Sequence, residues 1–178
     1  MTGPYPYQSE SPTDILKARA RKLAAEETLT DQTDHFSVLA FRLAKESYGI
    51  ELRHISGVHL LKGLAYIPGA PAFILGIINM RGRILSVVDL KIIFDLDNDA
   101  AGNNGMVIIL KNVDMEFCLA ADEIIGVHQI PAKGITPSLP TLTGIRSEYL
   151  LGVSGDGMVI LDGKKLLNAP EMRIDIVP

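Results

Sequence analysis

The sequence predicts a mainly β protein whose strands close into two small barrels of five strands each, with an extra N-terminal helix and a short C-terminal helix. Three observations predict it. From His35 onward about nine or ten short β-prone runs succeed one another, with turn signals at the spacing usual for barrels and sandwiches. No helical periodicity separates these runs, which argues against βαβ units. The two halves of the region are alike in layout, and closing a sheet into a barrel removes its exposed edges.

The N-terminal residues 1–30 stand apart as a leader and helix, and residues 31–178 form the β domain. Met1–Glu10 is rich in proline and tyrosine and reads as a flexible leader. Ser11 and Pro12 mark a helix start, with serine as N-cap and proline in the first turn. The helix is expected over Pro12–Glu27. Leu16, Ala20, Leu23 and Ala24 share one narrow apolar face, and Lys17, Arg19, Arg21 and Lys22 cover much of the rest. Such a helix packs on a core by its stripe or docks on an acidic partner. A membrane-surface role is disfavoured because the stripe lacks bulky aromatics.

His35–Leu43 and Tyr48–Val58 are expected to pair as a hairpin across the polar Ala44–Ser47 turn. Leu60–Tyr66 follows as a further run, then a loop fixed by Pro68, Gly69 and Pro71. The organising element is next. Gly76–Met80 and Arg83–Val88 are rich in β-branched residues and flank Arg81-Gly82. Glycine tolerates positive φ, so it suits the second corner of a tight turn. The hairpin tip therefore carries a guanidinium, with Arg83 and Asn79 each two residues away and expected on the same face. The plain alternative is a surface hairpin with solvated arginines. Lys91–Phe94 is read as its continuation, and Asp89 as a cap for the neighbouring turn.

After the polar loop Asp95–Asn104, the apolar run Gly105–Lys111 pairs with Met115–Ala121 across Asn112–Asp114. Ile124–Ile130 is another strand, Asp122-Glu123 before it a solvated turn, and Pro131–Thr143 a loop. Tyr149–Val153 and Met158–Asp162 form the last hairpin. Asp162 caps a short helix, Gly163–Asn168, which Pro170 ends.

Composition narrows the function. Of 178 residues, 47% are hydrophobic, enough for a core. The formal charge of -4 disfavours a non-specific nucleic-acid binder. The lone cysteine, Cys118, cannot form an internal disulfide and sits in an apolar run, as a buried thiol would. No apolar stretch is long enough to span a bilayer, and no secretory pattern opens the chain, so a cytoplasmic location without membrane insertion is expected.

No catalytic constellation emerges. Glycine-rich phosphate loops and paired-histidine zinc signatures are absent from the sequence. Gly152-Val153-Ser154-Gly155-Asp156 only resembles a nucleophile elbow, because Asp156 occupies the last glycine position. The acidic run from Asp95 has Ala100 and Met106 where a calcium loop needs glycine and glutamate. His35, His54, His59 and His128 are scattered without triad partners. No catalytic residue, cofactor or metal site is expected.

Other residues carry a family resemblance. Tyr48-Gly49-Ile50, Pro71-Ala72-Phe73-Ile74 and the stretch Gly76 to Leu90 occur in order. Ser147-Glu148-Tyr149-Leu150, Gly152, Met158-Val159-Ile160-Leu161 and Leu166-Leu167-Asn168 follow. From about His35 to Met172 the chain resembles the CheW family of chemotaxis coupling proteins. The resemblance implies SH3-like barrels and an adaptor that catalyses nothing. It implies two partners, the cytoplasmic tip of a methyl-accepting chemotaxis receptor and the regulatory domain of a CheA-like histidine kinase, at receptor arrays on the inner face of the membrane. It places Asn79, Arg81 and Val88 at the receptor and Ile55 and Gly76 at the kinase. The alternative is a related module of a pathway governing pili, gliding or development. The chain departs from the family at Gly57, where a carboxylate is common, which leaves Glu51, Asp89 or a receptor carboxylate to pair with Arg81. The segment Ser154–Gly163 is also shorter than the common form.

Overall fold

Short apolar runs separated by polar turns become strands here because each can bury one or both pleat faces. The computed structural model describes residues 35–96, 105–137 and 145–172, all within one compact unit, Asp34–Pro178. The expected N-terminal leader and helix, and most of the acidic loop after Asp95, lie outside the described residues.

The strands are β1 (His35–Leu43), β2 (Glu46–Glu51), β3 (Ile55–Leu60), β4 (Ile74–Met80), β5 (Arg83–Val88), β6 (Met106–Lys111), β7 (Glu116–Ala121), β8 (Glu123–Pro131), β9 (Leu150–Val153) and β10 (Val159–Leu161). Short helices are α1 (Leu90–Ile93), α2 (Ile145–Glu148) and α3 (Gly163–Asn168). They form two five-stranded SH3-like sheets, ordered β8-β1-β2-β10-β9 and β3-β6-β7-β5-β4.

The expected barrels are present, but they are not successive halves of the chain. The second barrel is continuous, β3 to β7, and is inserted between β2 and β8 of the first. Parallel pairings stitch each barrel: Val159 opposite Tyr48, and Val87 opposite Cys118. The two strand orders match position by position. Each barrel is closed by a bridge from beyond its first edge strand, Ala65 to Ile77 in one and Thr136 to Val153 in the other.

Three local readings change. The run Tyr48–Val58 is broken by a 3-10 turn at Leu52–His54, where the chain leaves one barrel for the other. Leu60–Tyr66 is not a strand beyond Leu60, and only Ala65 pairs. Lys91–Phe94 does not extend the hairpin, because the Asp89 carboxylate accepts from the Lys91 amide at 2.9 Å and starts α1. Asp162 does the same for α3 through Lys165.

Period-two alternation sorts the core into three layers. Val38, Ala40 and Ile160 fill the first barrel; Ile78, Val87, Val107 and Cys118 fill the second. Their strand neighbours Leu39, Phe41, Val88, Ile108, Leu110, Leu119 and Leu161 face the other way into a shared layer. Tyr48 stacks between Phe41 and Phe94, at 6.2 and 6.0 Å, and bridges the two barrels there. β6 and β7 are buried on both faces, which is why their sequences lack polar alternation.

Cys118 lies inside the second barrel with no accessible surface. Burial, with Glu116 adding to it, pushes its thiol up to about 12. A thiol-specific reagent at pH 8 is expected to leave the folded protein unlabelled and to modify one thiol after denaturation. Prompt labelling of the folded chain would contradict this placement.

Candidate partner-docking site

The β4–β5 hairpin is built for a two-residue tip. Arg81 and Gly82 both have positive φ, 53° and 83°, as a type I′ turn requires. Met80 and Arg83 are direct cross-strand partners below it. The Asn79 Oδ1 accepts from the Gly82 amide at 2.8 Å, so the asparagine pins the turn. The arginine at the first corner is thus held at a bent position, not in an extended strand.

This geometry divides the residues expected to share one face. Arg83 Nη1 is bonded to the Glu116 carboxylate on β7. Asn79 and its cross-strand partner Ile84 are both exposed. Arg81 is exposed at the tip and, among the described residues, makes no side-chain hydrogen bond or ion pair. Neither intramolecular partner considered for it is available. Glu51 is paired with Arg53, and Asp89 caps α1. The tip therefore offers an exposed guanidinium without a partner among the described residues, and an exposed isoleucine, Ile84, at 58%.

The remaining expected residues sit deeper. Val88 has no accessible surface, pairs with Ile74 and belongs to the shared core layer. It supports the hairpin from below and cannot itself touch a docked partner. Ile55 is partly buried, opposite Leu110, at the start of β3. Gly76 is buried at the closure of the second barrel, with φ 148°, and a Cβ there would overlap the Ala65 carbonyl oxygen. Gly152 repeats the arrangement in the first barrel against Thr136. The glycine thus shapes the surface by letting two backbones meet. Gly57 is partly buried beside His59.

The hydroxyl of Ser154 serves the β9–β10 turn: it accepts from the Met158 amide at 3.1 Å and donates to Asp156, whose carboxyl it holds below the usual range. His54 lies against Gly163, and burial, with Arg53 adding to it, lowers its pKa. Among the described residues no three His, Cys, Asp or Glu side chains gather as a metal site.

Two functional-looking residues escaped sequence reasoning. Lys91 is buried, and its ammonium lies 2.7 Å from Asp122, which is nearly buried instead of solvated. A lysine inside the apolar run Leu90-Lys91-Ile92-Ile93 was the available signal. Its acid, 31 residues away, could not be chosen from spacing.

Comparison with known proteins agrees with this fold. The profile of the CheW-like domain matches residues 37–171. The chain is 30% identical over 155 residues to chemotaxis protein CheW of Klebsiella aerogenes, covering 85% of this chain and 93% of that one. It is 31% identical over 86 residues to part of chemotaxis protein CheA of Salmonella typhimurium, covering 48% of this chain and 12% of that one. The crystal structure of the scaffolding protein CheW from Thermoanaerobacter tengcongensis superposes with a TM-score of 0.63 at 29% identity, covering 71% of this chain and 83% of that one. The chain belongs to the CheW family of chemotaxis coupling proteins.

Proposed function

We propose that this protein is a non-catalytic adaptor that joins the cytoplasmic tip of a methyl-accepting chemoreceptor to the regulatory domain of a CheA-like histidine kinase. The observation that carries the reading is the hairpin tip: a pinned type I′ turn presenting Arg81 with no partner among the described residues. A planar guanidinium can hold a carboxylate through two parallel hydrogen bonds, which fixes register as well as attraction. The receptor face comprises Arg81 with Asn79 holding the turn, and Val88 stiffens it from within. The kinase face comprises Ile55 and the surface that Gly76 allows to form. Coupling follows from presenting both faces at once, at receptor arrays on the inner face of the membrane. No helix among the described residues is long and apolar enough to cross that membrane.

The test is capture by immobilised receptor tip and by immobilised kinase regulatory domain, each used separately. Retention on both is the expected result. Retention on neither would remove the proposal. Retention only on a kinase of a pilus, gliding or developmental pathway would reassign it to that pathway.

A further inference from the structure

Two chain crossings join the barrels, and each meets the helical turn of the barrel it leaves. At the first, His54 abuts Gly163 of α3. At the second the contact is ionic. Asp122, between β7 and β8, takes the Lys91 ammonium on one oxygen at 2.7 Å. Its other oxygen accepts from the Ala44 amide at 2.7 Å, and its own amide donates to the Arg42 carbonyl at 3.1 Å. Lys91 belongs to the second barrel; Arg42 and Ala44 belong to the β1–β2 hairpin of the first. Ala44 occupies positive φ, 53°, in that turn. Asp89 stands 4.0 Å from the same ammonium. The Lys91 side chain is 2% exposed and that of Asp122 10%.

Burying charges costs free energy that a good pair only offsets, so apolar residues would stabilise this place equally well. What an ion pair adds is direction: one carboxylate geometry satisfies an ammonium from one barrel and an amide from the other. The shared apolar layer, by contrast, gains from any arrangement that buries the same area. The corresponding position after Asp162 is Lys164, which is exposed, so Lys91 has no buried lysine counterpart at the other crossing.

We infer that Lys91 and Asp122 are positioning residues that set the angle between the two barrels, and that coupling depends on this angle. The second part rests on the adaptor reading above. Every residue assigned there to a partner lies on the second barrel, so the first barrel enters the assembly through its placement.

The experiment uses the full chain carrying Val113→Cys and Val127→Cys, two exposed sites on different barrels, labelled with nitroxides. The added changes are Lys91→Met, and Lys91→Met with Asp122→Asn. The double change puts a neutral amide at position 122 and keeps an oxygen for the Ala44 amide, so it separates lost stability from lost direction. The expected result is one narrow distance distribution without the added changes and a broadened or shifted one in both variants. Capture by the kinase regulatory domain should be retained, while receptor-dependent kinase activation falls about tenfold. An unchanged distribution overturns the inference, and so does full activation alongside a broadened one. A chain that captures neither partner before mutation overturns the adaptor reading and leaves the strut to be judged by the distances alone.

Discussion

Gly76→Asp is expected to destabilise the protein by about 2–6 kcal/mol, a large part of the roughly 5–15 kcal/mol that holds a domain folded. Two costs combine. The backbone at Gly76 has φ 148°, a region that L residues rarely enter, at about 1–3 kcal/mol. Its Cβ would also meet the Ala65 carbonyl oxygen, where Ala65 and Ile77 exchange hydrogen bonds of 2.8 Å in both directions. Relieving that overlap means parting the bridge that closes the barrel, at about 1–3 kcal/mol or more. The family resemblance, which places Gly76 at the kinase, suggests instead a docking defect, from a charge entering a close backbone approach. The approach is real, but it is within the chain. Gly76→Ala separates the explanations, because alanine supplies the Cβ and no charge. Urea denaturation should show most of the loss already in the alanine variant, and a comparable loss for Gly152→Ala. An alanine variant of unchanged midpoint would return the effect to the charge.

The hairpins were legible because their signals are local. Arg81-Gly82 between two β-branched runs, Asn112 before Asp114, and Asp162 ahead of Gly163 each act within four residues. Asn112 does so by accepting from the amides of Asp114 and Met115. The interleaving of the barrels was not legible. It depends on β2 meeting β10 and β5 meeting β7 in parallel, across long stretches that leave no periodic trace. The same limit explains the site residues. Val88 lies in a strand whose Ile-Leu-Ser-Val-Val pattern does not say which apolar position faces a neighbouring barrel and which faces solvent. Ile84, the exposed isoleucine beside the tip, is indistinguishable from it by residue type. Arg81 and Arg83 looked equivalent by spacing. What separates them is Glu116, 33 residues beyond Arg83, which holds one of the two.

That separation sets the expectation for Arg81→Ala: an unchanged fold and a loss of receptor coupling. The side chain is exposed and bonds to nothing among the described residues, so its removal should change the unfolding free energy by no more than about 0.5 kcal/mol. On the adaptor reading, its contribution to binding depends on where a receptor carboxylate meets it. Buried and paired in the complex, it should cost about 2–5 kcal/mol when removed; at a solvated rim, roughly 0–1 kcal/mol. The tip favours the larger value. The turn around Arg81 is pinned by Asn79, so little backbone order has to be gained on docking, and Ile84 beside it can exclude water as it is covered. Arg81→Lys distinguishes charge from shape, since an ammonium keeps the attraction and lacks the two-pronged geometry. Titration of receptor tip against the three proteins, at low and at physiological salt, reads all of this together. A deficit in the alanine variant that persists as salt rises marks a desolvated pair, whereas one that vanishes marks a rim contact. Receptor affinity and kinase activation that match the unmodified protein at both salts would show that the guanidinium plays no part in docking.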